Sequence, residues 1–125
     1  MESQRYSVLV VDDEDDSLEV MKNLLIGTGC DVTPARNGYE ALKFLEKRAY
    51  DFVIADMVMT GLNGIELLRE MRRRGLNSSF IMITAYGEME SYIEVMNLGA
   101  VEYLSKPVNQ TNLAQVMARA KERKT

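Results

Sequence analysis

Short continuous apolar runs alternate along this chain with stretches in which apolar residues recur every three or four positions. Residues 6–11 are β-branched and unbroken enough for a central strand. From Ser17 the period lengthens: Leu18, Met21, Leu24 and Leu25 fall at helical spacing, with Glu19, Lys22 and Asn23 opposite them, until Gly27 and Gly29 stop the helix. Asp15 and Asp16 suit its first turn through capping and the helix dipole. A brief strand over 31–34 follows, then Asn37-Gly38 and a helix marked by Ala41, Leu42, Phe44 and Leu45.

The run at 52–55 reads as a third buried strand, ended by Asp56 and a turn. Ile65, Leu67, Leu68 and Met71 give a helix finishing in Arg72-Arg73-Arg74-Gly75, where basic residues and a following glycine are expected; a solvated helix end is preferred there over a phosphate patch. Residues 80–83 form a fourth strand ending at Thr84. A stripe of Tyr92, Ile93, Met96 and Leu98 is closed by Gly99. A last strand over 101–104 runs into Ser105-Lys106-Pro107, and Leu113, Val116, Met117 and Ala120 make the final helix. Five strands alternating with five helices predict one α/β domain over 1–125, a doubly wound parallel sheet with helices on both faces.

Composition narrows the function. With 46% apolar and 27% charged residues the chain is an ordinary globular sequence. Its 19 acids, 15 bases and absence of His give a net charge of -4, which offers no global reason to bind nucleic acid or an anionic membrane. The missing His also removes the commonest general base and zinc ligand. Cys30 has no partner for an internal disulfide and reads as a small buried residue. No apolar run reaches membrane-spanning length and the first residues do not resemble a signal peptide, so a cytoplasmic location is expected.

In a parallel sheet every strand delivers its carboxyl end to one rim. Asp12, Asp13, Asp56, Thr84 and Lys106 all occupy such ends. A strand order of 2-1-3-4-5 sets the acid pair beside Asp56, with Thr84 and Lys106 alongside. Taken alone, Asp56 reads equally well as a turn acid, and Lys106 as a surface lysine before a turn. Taken together, three carboxylates within about 5 Å would repel by roughly 3 kcal/mol per pair at an effective dielectric of about 20. Lys106 supplies one balancing charge, and a hard divalent cation suits the remainder. A carboxylate beside such a cation, a lysine and a hydroxyl is suited to accept a phosphoryl group.

These residues carry a resemblance that covers essentially the whole chain. Val11-Asp12-Asp13-Glu14, Asn37-Gly38-Tyr39-Glu40-Ala41-Leu42, the stretch from Asp56 to Gly64, Ile83-Thr84-Ala85 and the stretch from Gly99 to Pro107 together resemble the receiver domain of bacterial two-component response regulators, in the family's order. The resemblance implies a flavodoxin-like (βα)5 fold and a phosphoacceptor role for Asp56, supplied by a sensor histidine kinase. It also implies that Asp12, Asp13, Asp56 and the backbone carbonyl of Val58 hold Mg²⁺ or Mn²⁺, that Lys106 and Thr84 contact the phosphoryl oxygens with Ala85 beside them, and that Tyr103 is the switching aromatic. Taken alone, Tyr103 reads as a strand residue packed on a helix. The readout is expected on the face of the fourth helix, fifth strand and fifth helix, which would meet an output domain or a second copy; Met89, Tyr92, Ile93 and Met96 are candidates for a dimer contact, with burial against the sheet accounting for at least some of them.

One position departs from the family pattern, and two more bear on the fate of the phosphoryl group. Thr60 replaces the usual Pro, which should leave the loop after Asp56 less fixed. Val58 and Tyr86 flank the expected path of an attacking water without being able to orient it, which predicts slow loss of the phosphoryl group. Rival readings fit less well. A haloacid-dehalogenase-type phosphatase needs an acid where Val58 stands, and a flavin module would set its phosphate against Asp12 to Asp16. A receiver-like docking module without phosphorylation would not require every acceptor-site residue, and all are present.

Overall fold

A computed structural model describes residues 5–85 and 89–124. In chain order the elements are β1 (Ser7–Val11), α1 (Asp15–Gly27), β2 (Asp31–Ala35), α2 (Gly38–Lys47), β3 (Phe52–Asp56), α3 (Gly64–Arg73), β4 (Ser79–Thr84), α4 (Met89–Asn97), β5 (Glu102–Ser105) and α5 (Gln110–Lys124). All strand pairs are parallel and the order is β2-β1-β3-β4-β5, so β1 and β3 adjoin at the switch point as expected.

Strand alternation divides the core between two faces. Val8, Val10, Phe52, Ile54, Ile81 and Ile83 point to the side covered by Leu18, Met21 and Leu25 of α1 and by Leu113, Val116, Met117 and Ala120 of α5. Leu9, Val11, Val53, Ala55, Phe80 and Met82 point to the side covered by α2, α3 and α4, through residues such as Leu42, Leu67 and Val95. Central β3 and β4 are buried along their whole length, which is why their sequences are continuous apolar runs. The edge strands β2 and β5 are half-exposed. Cys30 lies buried in the α1/α5 side as a free thiol. No described helix is long and apolar enough to cross a membrane.

Several helix starts are fixed by side chains. Asn37 caps α2 by accepting from the Glu40 amide at 2.8 Å. In α3 Asn63 and Glu66 form a reciprocal capping box, each accepting from the other's amide at 2.9 Å. The start of α1 departs from expectation. Asp15 and Asp16 do sit in its first turn, where they complement the dipole, but the N-cap is Glu14 and its side chain makes no capping bond. The Glu14 amide is taken instead by Asp12 Oδ1 at 3.0 Å, which makes the acid run a turn before it becomes a helix.

The arginines after Met71 also need correcting. Arg73 and Arg74 form surface ion pairs with Glu70, and Arg74 reaches Glu46 at 3.2 Å. Arg72, however, is half-buried and donates to the carbonyls of Leu76 at 2.8 Å and Gly99 at 3.1 Å. It clasps the end of α3 to the junction before β5, so one of the three belongs to the interior of the fold.

Candidate functional site

The sheet's carboxyl edge gathers the expected residues. Asp56 is the last residue of β3 and is buried at 9% exposure; Asp12, immediately after β1, is 6% exposed. Asp56 Oδ1 accepts from the Val58 amide at 2.9 Å, and Oδ2 accepts from Lys106 Nζ at 2.5 Å. Lys106 Nζ also stands 3.6 Å from Asp12 Oδ2, so one ammonium bridges the two buried carboxylates. The Lys106 amide donates to the Thr84 carbonyl at 2.7 Å, which ties the lysine's backbone to the end of β4, and the Lys106–Pro107 peptide is cis. In front of Asp56 lies a solvent-open cavity of about 520 Å³, lined by Asp13, Glu14, Val58, Met59, Thr60, Ala85 and Lys106 as well as Asp56 itself.

Electrostatics follow from this packing. Burial pushes the Asp12 carboxyl above the usual carboxylate range, and the nearby charges of Asp56 and Asp13 act in the same direction against the Glu14 amide and Lys106. Asp13 is held below that range, first by the Thr60 amide and then by the Thr60 hydroxyl. For Lys106 burial favours the neutral amine, yet the Asp56 bond and the charges of Asp56 and Asp12 outweigh it and raise the ammonium's pKa.

The three aspartates do not close on a common point. Among the described residues no three Asp, Glu, Cys or His side chains are near enough together to enclose a metal ion. Asp13 is drawn onto Thr60, whose amide and hydroxyl donate to Asp13 Oδ2 at 2.8 and 3.0 Å, while Asp56 is engaged by Val58 and Lys106. The donor set still fits Mg²⁺. That ion takes one or two carboxylates and keeps several waters, and here two buried carboxylates share a single lysine beside an open cavity.

Around this centre the other expected residues take distinct positions. Thr84 is fully buried, so it is Ala85 that reaches the cavity wall. Val58 lines the cavity and is 64% exposed; Tyr86 lies outside the described residues. Tyr103 is half-buried, with its hydroxyl 3.9 Å from Met57 Sδ and its ring edge-to-face with Tyr92 at 5.6 Å. Tyr92 and Ile93 are exposed on α4, whereas Met96 packs against the core; the side chain of Met89 is outside the described set.

The loop after Asp56 is pinned at successive points, against the expectation that losing Pro would loosen it. Met59 is buried in the core, Thr60 is bonded to Asp13, and the Gly64 amide donates to the Met57 carbonyl at 3.2 Å. A Cβ at Gly64 would stand 2.6 Å from the Asp56 carbonyl oxygen, so only glycine lets α3 approach the acid this closely. Thr60 and Arg72 are the residues whose roles sequence reasoning missed. Each acts on a partner distant in sequence: Thr60 lies in the stretch from Asp56 to Gly64 and Arg72 in the arginine run, but neither stretch points to Asp13 or to the Gly99 carbonyl.

A five-stranded 2-1-3-4-5 sheet with an acid-and-lysine rim defines the class of flavodoxin-like receiver folds. Residues 8–118 match the model of the response regulator receiver domain, and the chain belongs to that family. It is 31% identical over 96% of its length to the transcriptional regulatory protein ZraR of Klebsiella oxytoca, covering 27% of that protein. It is 33% identical over 93% of its length to the response regulator protein PilR of Pseudomonas aeruginosa, covering 26% of it. The chain thus spans about a quarter of the length of these relatives. Among solved structures, a response regulator receiver domain protein from Clostridium thermocellum superposes with a TM-score of 0.88 at 35% identity, covering 95% of this chain and 96% of that one. The receiver domain of the Francisella response regulator 1452 gives 0.88 at 30% identity, with 97% and 100% covered.

Proposed function

We propose that Asp56 takes a phosphoryl group from a phosphohistidine of a sensor kinase, in a Mg²⁺-dependent transfer that switches the domain's surface. The observation that carries this reading is the bridge of Lys106 between Asp56 and Asp12 at the floor of an open cavity. A carboxylate oxygen of Asp56 forms the new O–P bond while the P–N bond of the donor breaks and its electron pair returns to the imidazole nitrogen. Lys106 is placed to follow the charge onto the incoming oxygens, and its raised pKa keeps it cationic throughout. Asp12, Asp13, Asp56 and the Val58 carbonyl would hold the cation. When bound, it neutralises charge on the transferring group and on the buried acids.

Switching follows from charge. Phosphorylation replaces the single negative charge of the Asp56 carboxylate with about 1.5 to 2 on the phosphoryl group and brings three acceptor oxygens. The Thr84 hydroxyl then gains an acceptor within its loop, and the end of β4 moves toward the cavity. Tyr103, partnered by Met57 and Tyr92, sits where that movement is felt, so the face of α4, β5 and α5 carries the readout as a population shift. That face meets an output domain, as the length of the relatives supports, or a second copy of the chain.

The test is transfer from a radiolabelled phosphohistidine donor, with Mg²⁺ or with EDTA. Label should move to the wild-type chain only with Mg²⁺, and Thr84→Ala should still accept it but lose the chemical-shift changes on the α4, β5 and α5 face. Transfer that is indifferent to EDTA, or a shift pattern unaffected by Thr84→Ala, would contradict the reading.

A further inference from the structure

Thr60 occupies an unusual place, exposed on the loop after Asp56 yet bonded across the cavity to an acid 47 residues away in sequence. Both of its donors converge on the same oxygen, Asp13 Oδ2, from 2.8 and 3.0 Å. A carboxylate has about four lone-pair positions, so this leaves acceptor capacity on the group for a cation. The residue's neighbours hold it in place: Met59 is anchored in the core, and Gly61 takes a left-handed turn with φ of 78° that directs the chain toward Asn63 and the α3 cap. Asp13 is otherwise an exposed side chain that would sample several rotamers in water.

We infer that Thr60 is a positioning residue for Asp13, confining that carboxylate to one arrangement on the cavity rim so that Mg²⁺ recruits it from a single orientation rather than from several. The inference rests on the assignment of Asp13 to the cation site. Hydrogen-bond partners of metal ligands set ligand orientation, and their removal commonly weakens metal binding by about 10- to 100-fold. Thr60 is exposed and its amide survives any side-chain change, so the lower end applies. The hydroxyl has a second consequence: it links the loop carrying Asp56 to the loop carrying Asp13, so that occupancy of the cation site and the position of the acceptor loop are coupled.

Mg²⁺ alone, titrated calorimetrically into the full chain without a phosphodonor, tests this. Thr60→Ala should weaken binding by about tenfold, Thr60→Ser should bind as wild type does, and Thr60→Ala added to Asp13→Asn should change nothing further. Melting curves in EDTA should remain single and cooperative for Thr60→Ala with only a small downward shift from wild type, separating positioning from a loss of fold. Unaltered affinity in Thr60→Ala, failure of serine to restore it, or an equal loss in the Asp13→Asn background would overturn the inference. A wild-type chain that binds no Mg²⁺ would overturn the cation site itself, and this inference with it.

Discussion

Lys106 Nζ lies 2.5 Å from Asp56 Oδ2 and 3.6 Å from Asp12 Oδ2, so a single ammonium serves two buried carboxylates. Removing it strands both. Lys106→Met should destabilise the chain in EDTA by about 1–2 kcal/mol, less than for a fully buried pair because the lysine is partly exposed. Asp12→Asn should do the opposite and melt above wild type, since the fold disfavours a charge at that position. Denaturant unfolding in EDTA measures both changes; a Lys106→Met chain as stable as wild type would mean that the bridge does not compensate the acids.

Val58 gives a kinetic prediction. It is exposed at the cavity wall and has no group able to orient water toward a phosphoryl group on Asp56. Val58→Asn should shorten the phosphoryl lifetime severalfold, followed by the decay of labelled protein after removal of the donor. An unchanged lifetime would place the control of hydrolysis elsewhere.

Arg72 predicts a stability effect far from the acid rim. Its guanidinium donates to the Leu76 and Gly99 carbonyls, joining α3 to the segment that leads into β5. Hydrogen bonds from a charged group contribute about 1.5–3 kcal/mol each when fully buried; with the guanidinium only half-buried, the two together are discounted and Arg72→Met should lower stability by about 2 kcal/mol. Hydrogen exchange should quicken at the Gly99 and Ala100 amides. Arg73→Met, on the exposed side of the same turn, should cost far less.

Glu70 sets a pH dependence. Its bonds with Arg73 and Arg74 hold the carboxyl at about 2, against 4.5 for the unperturbed group. Because the folded pKa is the lower one, its stabilising contribution is complete above the unfolded value and fades as pH falls from 4.5 toward 2. The stability gap between wild type and Glu70→Gln should therefore be open at neutral pH and narrow at acid pH. Thermal melts at several pH values measure it, and a gap that widens on acidification would reverse the assignment.

How much of this was legible in the sequence depends on the distance over which a side chain acts. Runs such as 80–83 and stripes such as Leu18, Met21 and Leu25 announce their elements because burial repeats along the local chain. The end of β3 announces Asp56 for the same reason. Thr60 gave no such signal, since a missing Pro reads as lost rigidity until Asp13 is found opposite it. Arg72, Arg73 and Arg74 are alike in sequence, and only their angular positions around α3 decide which one turns inward to the Gly99 carbonyl. The acid run from Asp12 to Asp16 likewise hid a division of labour: Asp12 makes the turn, Glu14 occupies the N-cap, and Asp15 and Asp16 begin the helix.

The central claim, that Asp56 is a phosphoryl acceptor, is tested most directly by intact mass spectrometry after incubation with acetyl phosphate and Mg²⁺. The wild-type chain should gain the mass of one phosphoryl group, and Asp56→Asn should gain none under the same conditions. A wild-type chain that gains nothing, or an Asp56→Asn chain that gains as much, would contradict the account.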